Sequence, residues 1–357
     1  MAKNEKLKNI AKLLDRLNEK YLDELTNEVY NRLIASGAQP TLSMEFDRTS
    51  VSACVHCGSV HFIKHGKDRK NNPRYLCKDC GRSFTALTNT ALNGTHKSAS
   101  VWKEYVKNLL DGLPLEECAK RCNISVRTAF LWRHKILSAL NAQTSEHQYS
   151  GLLEMDEMFV RISYKGNHKN SKTFVMPRDS HKRGGDGHDQ SIKSKAAVLC
   201  VVERGQGFYA SIPCRGMINN PVLQSAFDGK LSDESVVMTD GLRAYKNYFD
   251  TTHAQHIVLP GTKKGTRQFK VIGPYHINNV NAMHHRFRDF LRKYNGVSTK
   301  FLKNYLALFL WHENHRNTDK NALLCNTISS AGSYTPTHQF ESWARTPELA
   351  PPPETAA

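Results

Sequence analysis

Four cysteines constrain this chain more than any other residues. Cys54-x2-Cys57 is followed, after 19 intervening residues, by Cys77-x2-Cys80. Each CxxC makes a tight knuckle offering two thiolates from one turn, and two knuckles complete the tetrahedral set that structural zinc takes. Gly58 and Gly81 follow the knuckles, where the backbone tends to need positive φ. The segment between them, HFIKHGKDRKNNPRYL, suits a hairpin too small to have much core of its own, so the metal would supply folding energy. A redox pair would not need two matched knuckles, and four thiolates leave no open position for catalysis. His56, His61 and His65 lie nearby but are surplus to a complete set, and are expected to be solvated or to face a polyanion.

The polyanion is suggested by charge. Of the 357 residues, 50 are Lys or Arg against 33 Asp or Glu, a formal net charge of +17. Such a balance points first to nucleic acid. A membrane is disfavoured, since no apolar run approaches the ~20 residues of a spanning helix. The first residues, MAKNEKLKNI, lack a signal-peptide core, so a cytoplasmic location with reduced thiols is expected. Lys64, Lys67, Arg69, Lys70, Arg74, Lys78 and Arg82 give the ribbon a second role in gripping a DNA backbone.

Apolar spacing divides the rest. Residues 1–48 read as an amphipathic helical segment (Leu7, Ile10, Leu13, Leu14, Leu17), 49–90 as the zinc ribbon and 98–142 as helices. Within the last, LPLEECAKR and VRTAFLWRHKI flank a Cys122-Asn123-Ile124 turn, with Ser125 as N-cap. This is a helix-turn-helix pattern. Its register puts Arg127, Thr128, Leu131 and Arg133 toward the exposed side, with Arg127, Thr128 and Arg133 the candidate DNA contacts. Val126, Ala129 and Phe130 are expected to pack. Residues 149–318 begin with five β-rich runs (GLLEMDEMFVRIS, AAVLCVVERG, GFYASIPC, SVVMTDG, HIVLP) and end with helical spacing. A basic stretch from Tyr164 to Lys195 reads as a long loop, and residues 327–357 as a disordered tail.

Asp156 sits inside the first apolar strand pattern and Asp240 where a buried strand stops at a glycine. Two carboxylates at strand ends on adjacent strands can hold Mg²⁺ or Mn²⁺, hard ions that keep positions open for water or phosphate. Such ions clamp the attacking and leaving oxygens of a phosphoryl displacement.

The order of zinc ribbon, helix-turn-helix and MDEMF resembles the transposases of one group of bacterial insertion sequences. So do ISYKGNHKNSKTFVMPR, TDGLRAYKNY and HINNVNAMHHRFRDFLRKYNGVSTKFLKNYLALFLWHENHR. The likeness spans roughly residues 50–316. It implies an α/β fold, an RNase H-like mixed sheet with flanking helices, and a DDE-type site with Asp156 and Asp240 as metal ligands. The third position falls on Asn281, a departure from the usual acid that some members share. Arg288, seven residues on, matches the family's basic residue and suits a DNA phosphate; His285 lies one turn from Asn281 and is a second DNA contact. Asn281 supplies no charge, so Glu157, Glu154, His284 and His285 are the groups able to supplement it. Glu157 alternates to the far face of a regular strand. His276 reads as a phosphate contact or a structural residue, Glu313 as a packing residue. The resemblance also implies two element ends brought together by a homodimer or larger assembly on double-stranded DNA, on the nucleoid of a bacterial cytoplasm. Two other readings stand beside it: a non-catalytic DNA-binding regulator derived from a transposase, and an RNase H-like nuclease that hydrolyses without joining.

Overall fold

The computed structural model describes residues 51–68, 72–142, 147–166, 191–259, 271–329 and 351–353. The chain divides into two units, Met1–Glu45 and Phe46–Ala357, and every described residue belongs to the second. The expected N-terminal helical segment, Arg69, Lys70, and most of the basic stretch and of the tail lie outside the described residues.

The segment with the four cysteines forms a three-stranded antiparallel sheet, β1 (Phe62–Lys67), β2 (Pro73–Cys77) and β3 (Ser83–Phe84), in the order β1-β2-β3. Three helices follow: α1 (Ala99–Leu110), α2 (Leu115–Arg121) and α3 (Val126–Ala142). Between α2 and α3 the chain turns through Asn123 at φ 47°, a left-handed conformation that asparagine tolerates. Ser125 then accepts from the Thr128 N–H at 3.0 Å and caps α3 as its type predicts.

The five β-rich runs all become strands of one sheet: β4 (Leu152–Arg161), β5 (Lys195–Glu203), β6 (Gly207–Ser211), β7 (Val236–Thr239) and β8 (Gln255–Val258). The order is β6-β5-β4-β7-β8. β6, β5 and β4 run antiparallel, whereas β7 and β8 run parallel to β4. This is the RNase H-like mixed sheet. β5, KAAVLCVVE, is buried along nearly its whole length, as a strand covered on both faces should be.

Helices α4 (Asn220–Phe227) and α5 (Arg243–Phe249) cover one face, α6 (Asn278–Lys293) and α7 (Thr299–Asn314) the other. Side-chain alternation sorts β4 between two cores. Leu153 and Met155 join Leu223, Phe227 and Tyr245, while Met158 joins Val280, Met283, Phe287 and Phe309. A short hairpin, β9 (Val271–Ile272) and β10 (Tyr275–His276), leads into α6.

A last helix, α8 (Lys320–Ser329), packs on α1. It corrects the expected start of the tail, because Thr327 and Ile328 are buried within it. Further on, the Pro353 carbonyl accepts from Asn219 Nδ2 at 2.6 Å. No helix among the described residues is long and apolar enough to cross a membrane.

Candidate active site

Asp156 and Asp240 are brought together by strand register. β4 and β7 pair in parallel with Glu154 opposite Met238; two residues further along each strand, Asp156 comes level with Asp240. Both are half-buried. β7 stops at Thr239 while β4 runs on to Arg161, so Asp240 sits at a strand end beside a continuing strand. Asp240 Oδ1 accepts from the Leu242 N–H at 2.9 Å. The Thr239 hydroxyl donates to the Asp240 carbonyl at 2.8 Å and lies 2.8 Å from His256 Nε2.

α6 packs on β4 and β5. Its inward stripe is Val280, Met283, His284 and Phe287; its outward stripe at one-turn spacing is Asn281, His285 and Arg288, all exposed. Burial of the three apolar residues contributes about 1.5–3 kcal/mol each to docking the helix. His284 reaches the site directly, with Nδ1 3.9 Å from Asp156 Oδ2. Burial, then the charges of Arg288 and His285, push its pKa down to about 4.

The start of α6 depends on Glu154. The residue at the cap position is Ile277, which has no side-chain acceptor to offer. Glu154, two residues before Asp156 and on the same face, takes that role from the neighbouring strand. Its Oε2 accepts from the N–H groups of Asn279 (2.8 Å) and Val280 (3.1 Å), and its Oε1 from Asn279 Nδ2 (2.7 Å). A carboxylate at a helix N-terminus is favoured by unsatisfied N–H groups and by the helix dipole. Glu154 is fully buried, and Arg204 Nε donates to its Oε1 at 2.8 Å. Arg204 also donates to the carbonyls of Pro274 (2.8 Å) and His276 (3.1 Å), with Nη2 2.9 Å from His276 Nδ1. Glu154 is thus spent on architecture, and His276 is structural. At the far end, Glu313 on α7 accepts from Arg286 Nε at 2.6 Å and from Arg316, which ties α7 to α6.

Glu157 takes the opposite face, as alternation requires. The Tyr245 hydroxyl donates to its Oε2 at 3.1 Å. Burial first, then the charge of Asp240, raise the Glu157 carboxyl above its ordinary range.

The structure corrects two expectations for α3. Arg133 is only 1% exposed. It donates to the Leu113 carbonyl at 2.7 Å and lies over the Tyr294 ring, 5.1 Å from its centroid. It is therefore withdrawn as a DNA contact. Val126, expected to pack, is 49% exposed. α3 packs against both α2 and α7, Trp132 stacks on Trp102 of α1 with ring centroids 3.8 Å apart, and Trp132, Arg133, Ile136 and Leu137 are all buried. Arg127 remains exposed and Thr128 half-buried.

Among the described residues, the four cysteines are the one group of three or more His, Cys, Asp or Glu placed to hold a metal ion, with ligand atoms all within 4.8 Å of one another. Cys54 and Cys80 sulfurs are 3.8 Å apart, Cys57 and Cys77 3.6 Å. A tetrahedron with Zn–S bonds of about 2.3 Å has edges of about 3.8 Å. The Cys77 thiol is pulled down to about 7, chiefly by the Cys80 backbone N–H. Gly58 (φ 75°) and Gly81 (φ 68°) turn the knuckles as expected.

The Arg204–Glu154–Asn279 anchor was missed in sequence. Alternation along β4 puts Glu154 on the Asp156 face, but nothing local in the sequence names its partners.

Comparison with known proteins agrees with the resemblance. The family model described as ISXO2-like transposase domain matches residues 148–314. An uncharacterized protein in the transposable element ISH50 of Halobacterium salinarum is 26% identical over 273 residues, 76% of this chain and 88% of that protein. Among solved structures the chain is similar to the Mos1 strand transfer complex (13% identity, TM-score 0.26, 71% of this chain and 80% of that one). It is also similar to the Mos1 mariner paired end complex with Mn (13% identity, TM-score 0.24, 68% and 77%). Likeness at this level bears no weight for the chemistry of this chain. The family match over residues 148–314 and the ISH50 relative support the reading of this chain as an insertion-sequence transposase of the DDE type.

Proposed function

We propose that this transposase binds the inverted repeats at the ends of its element as double-stranded DNA, frees a 3′-hydroxyl at each end and joins it to target DNA. The observation that supports the reading best is the juxtaposition of Asp156 and Asp240 on adjacent parallel strands beneath α6, whose outward face presents Asn281, His285 and Arg288. Half-buried carboxylates at strand ends are hard oxygen donors of the kind Mg²⁺ or Mn²⁺ takes. When bound there, the metal would polarise the scissile phosphate and activate water or a 3′-hydroxyl. Asp156 and Asp240 hold it; the neutral amide of Asn281 hydrogen-bonds the phosphate; Arg288 and His285 grip the strand alongside. The zinc-bound ribbon and the α2–α3 helix-turn-helix recognise the repeats, with Arg127 and Thr128 leading. Joining two ends needs two copies, so the working state is a homodimer or larger, acting on DNA in the cytoplasm.

Purified protein given Mg²⁺ or Mn²⁺ and a pre-cleaved element end should join it to target. Asp240→Ala should abolish joining. Asn281→Ala should lower it by about 10²–10³, the usual cost of one preorganised donor. Joining that survives Asp240→Ala would sink the proposal. The neutral Asn281 favours a second reading, a DNA-binding regulator without catalysis. That reading takes over if wild type binds the ends and neither cuts nor joins them.

Binding has its own test. Arg127→Ala should weaken repeat binding by about 1–3 kcal/mol if it reads a base, and relax specificity at one position. An unchanged salt slope with lost specificity marks base readout. A smaller slope at unchanged specificity would reassign Arg127 to the backbone.

A further inference from the structure

We infer that His284 supplies the nitrogen that completes a metal site with Asp156, in place of the missing third acid; this rests on Asp156 being a metal ligand, as proposed above. Four side chains could supplement Asn281, and the structure disposes of three. Glu154 is fully buried and saturated by Arg204, Asn279 and Val280. Glu157 points through the sheet to Tyr245. His285 is on the exposed stripe of α6, with Asn281 itself. His284 alone faces the sheet.

Its surroundings are unusual for a buried imidazole. Polar groups taken from water nearly always find a hydrogen bond. Here Nε2 is buried with no partner. Nδ1 is 3.9 Å from Asp156 Oδ2, beyond hydrogen-bond reach. A separation of this size can be bridged by one shared metal ion. With bonds of about 2.1 Å, two ligands are about 3.0 Å apart at a right angle and about 4.2 Å apart when opposed. The 3.9 Å between Asp156 and His284 falls inside this span. Asp156 is oriented for it, because its other oxygen accepts from the Glu157 N–H at 3.0 Å.

A nitrogen ligand changes which metal the site prefers. Carboxylate and water suit Mg²⁺, whereas imidazole suits transition ions. The inference therefore predicts that Mn²⁺ is held more tightly than Mg²⁺, and that the difference depends on His284.

The test uses the full chain with its thiols zinc-loaded, bound to a pre-cleaved duplex end and titrated with Mn²⁺. Pulsed electron paramagnetic resonance reads coupling between Mn²⁺ and a directly bound nitrogen. Wild type should show a ¹⁴N coupling of imidazole type. His284→Gln and His284→Ala should lose it, with Mn²⁺ affinity falling by at least about 10-fold, the lower end of what even a residue behind a ligand commands. His285→Ala should keep it. Should His284→Ala fold poorly, His284→Gln preserves bulk and hydrogen bonding and decides alone. Bound Mn²⁺ without nitrogen coupling in wild type, or coupling unchanged in His284→Gln, overturns the inference while leaving Asp240-dependent joining intact. A wild type that neither binds Mn²⁺ nor joins DNA overturns the functional reading, and this inference with it.

Discussion

Glu154→Ala should cost about 3–5 kcal/mol locally, the usual penalty for removing one partner of a buried ion pair. The glutamate is fully buried and Arg204 is four-fifths so, which leaves little solvent to screen the loss. Removing it takes the counter-charge from the Arg204 guanidinium and orphans the N–H groups of Asn279 and Val280 together. No neighbour can replace it, because the cap position is Ile277. Glu154→Gln is the sharper variant. Its carbonyl oxygen can still accept from the two N–H groups, but its amide meets Arg204 donor to donor, so an intermediate loss is expected. Amide hydrogen exchange in urea reads the effect where it arises, at Asn279 and Val280, and avoids treating so large a chain as two-state. Joining should fall in step, since α6 carries His284 and Arg288. If Glu154→Ala leaves first-turn protection in α6 unchanged, the anchor contributes nothing.

What the sequence revealed and what it hid follow from range. The cysteine knuckles, the five strands and the Ser125 cap are local patterns, and the structure reproduces each. Asp156 and Asp240 were legible because a carboxylate breaking an apolar strand run stands out against its neighbours. Arg133 was misplaced for a physical reason: helical periodicity tells which residues share a face, not how many faces are covered. α3 is covered on one side by α2 and on another by α7, far along the chain. Glu154 was ambiguous for the same reason. Its partners lie 50 and 125 residues away, at Arg204 and Asn279, and no window over β4 contains them. The choice of His284 over His285 turned on which side of α6 meets the sheet. The apolar residues Val280, Met283 and Phe287 mark that side in the sequence itself.

Stripping the metal from the four thiols should unfold residues 51–84 and spare the mixed sheet. Apart from the ligands, the described residues of the ribbon bury only Tyr75 and Phe84, with Phe62, Val51 and Val55 partly packed against them. Those rings stack edge to face, Phe62 on Tyr75 at 5.5 Å and on Phe84 at 5.6 Å. Interactions of that kind add about 0.5–1.5 kcal/mol each, small against the roughly 1–2 kcal/mol lost for every residue whose backbone is ordered. Zinc in comparable small sites supplies about 10–16 kcal/mol of apparent binding energy at neutral pH. Removing it leaves four thiols within 4.8 Å of one another, with short-range backbone hydrogen bonds, such as Gly58 N–H to the Cys54 carbonyl and Gly81 N–H to the Cys77 carbonyl, as the remaining ties within each knuckle. The mixed sheet is fastened by its own cores and by α6 and α7. A strong chelator, or Cys54→Ser with Cys77→Ser, should therefore abolish amide protection in β1 and β2, release one zinc per chain and weaken binding to element ends. Joining of a tethered, pre-cleaved end should persist, because Asp156 and Asp240 do not depend on the ribbon. Protection that survives chelation in β1 and β2 would mean that packing alone holds the ribbon, and that the cysteines serve some other purpose.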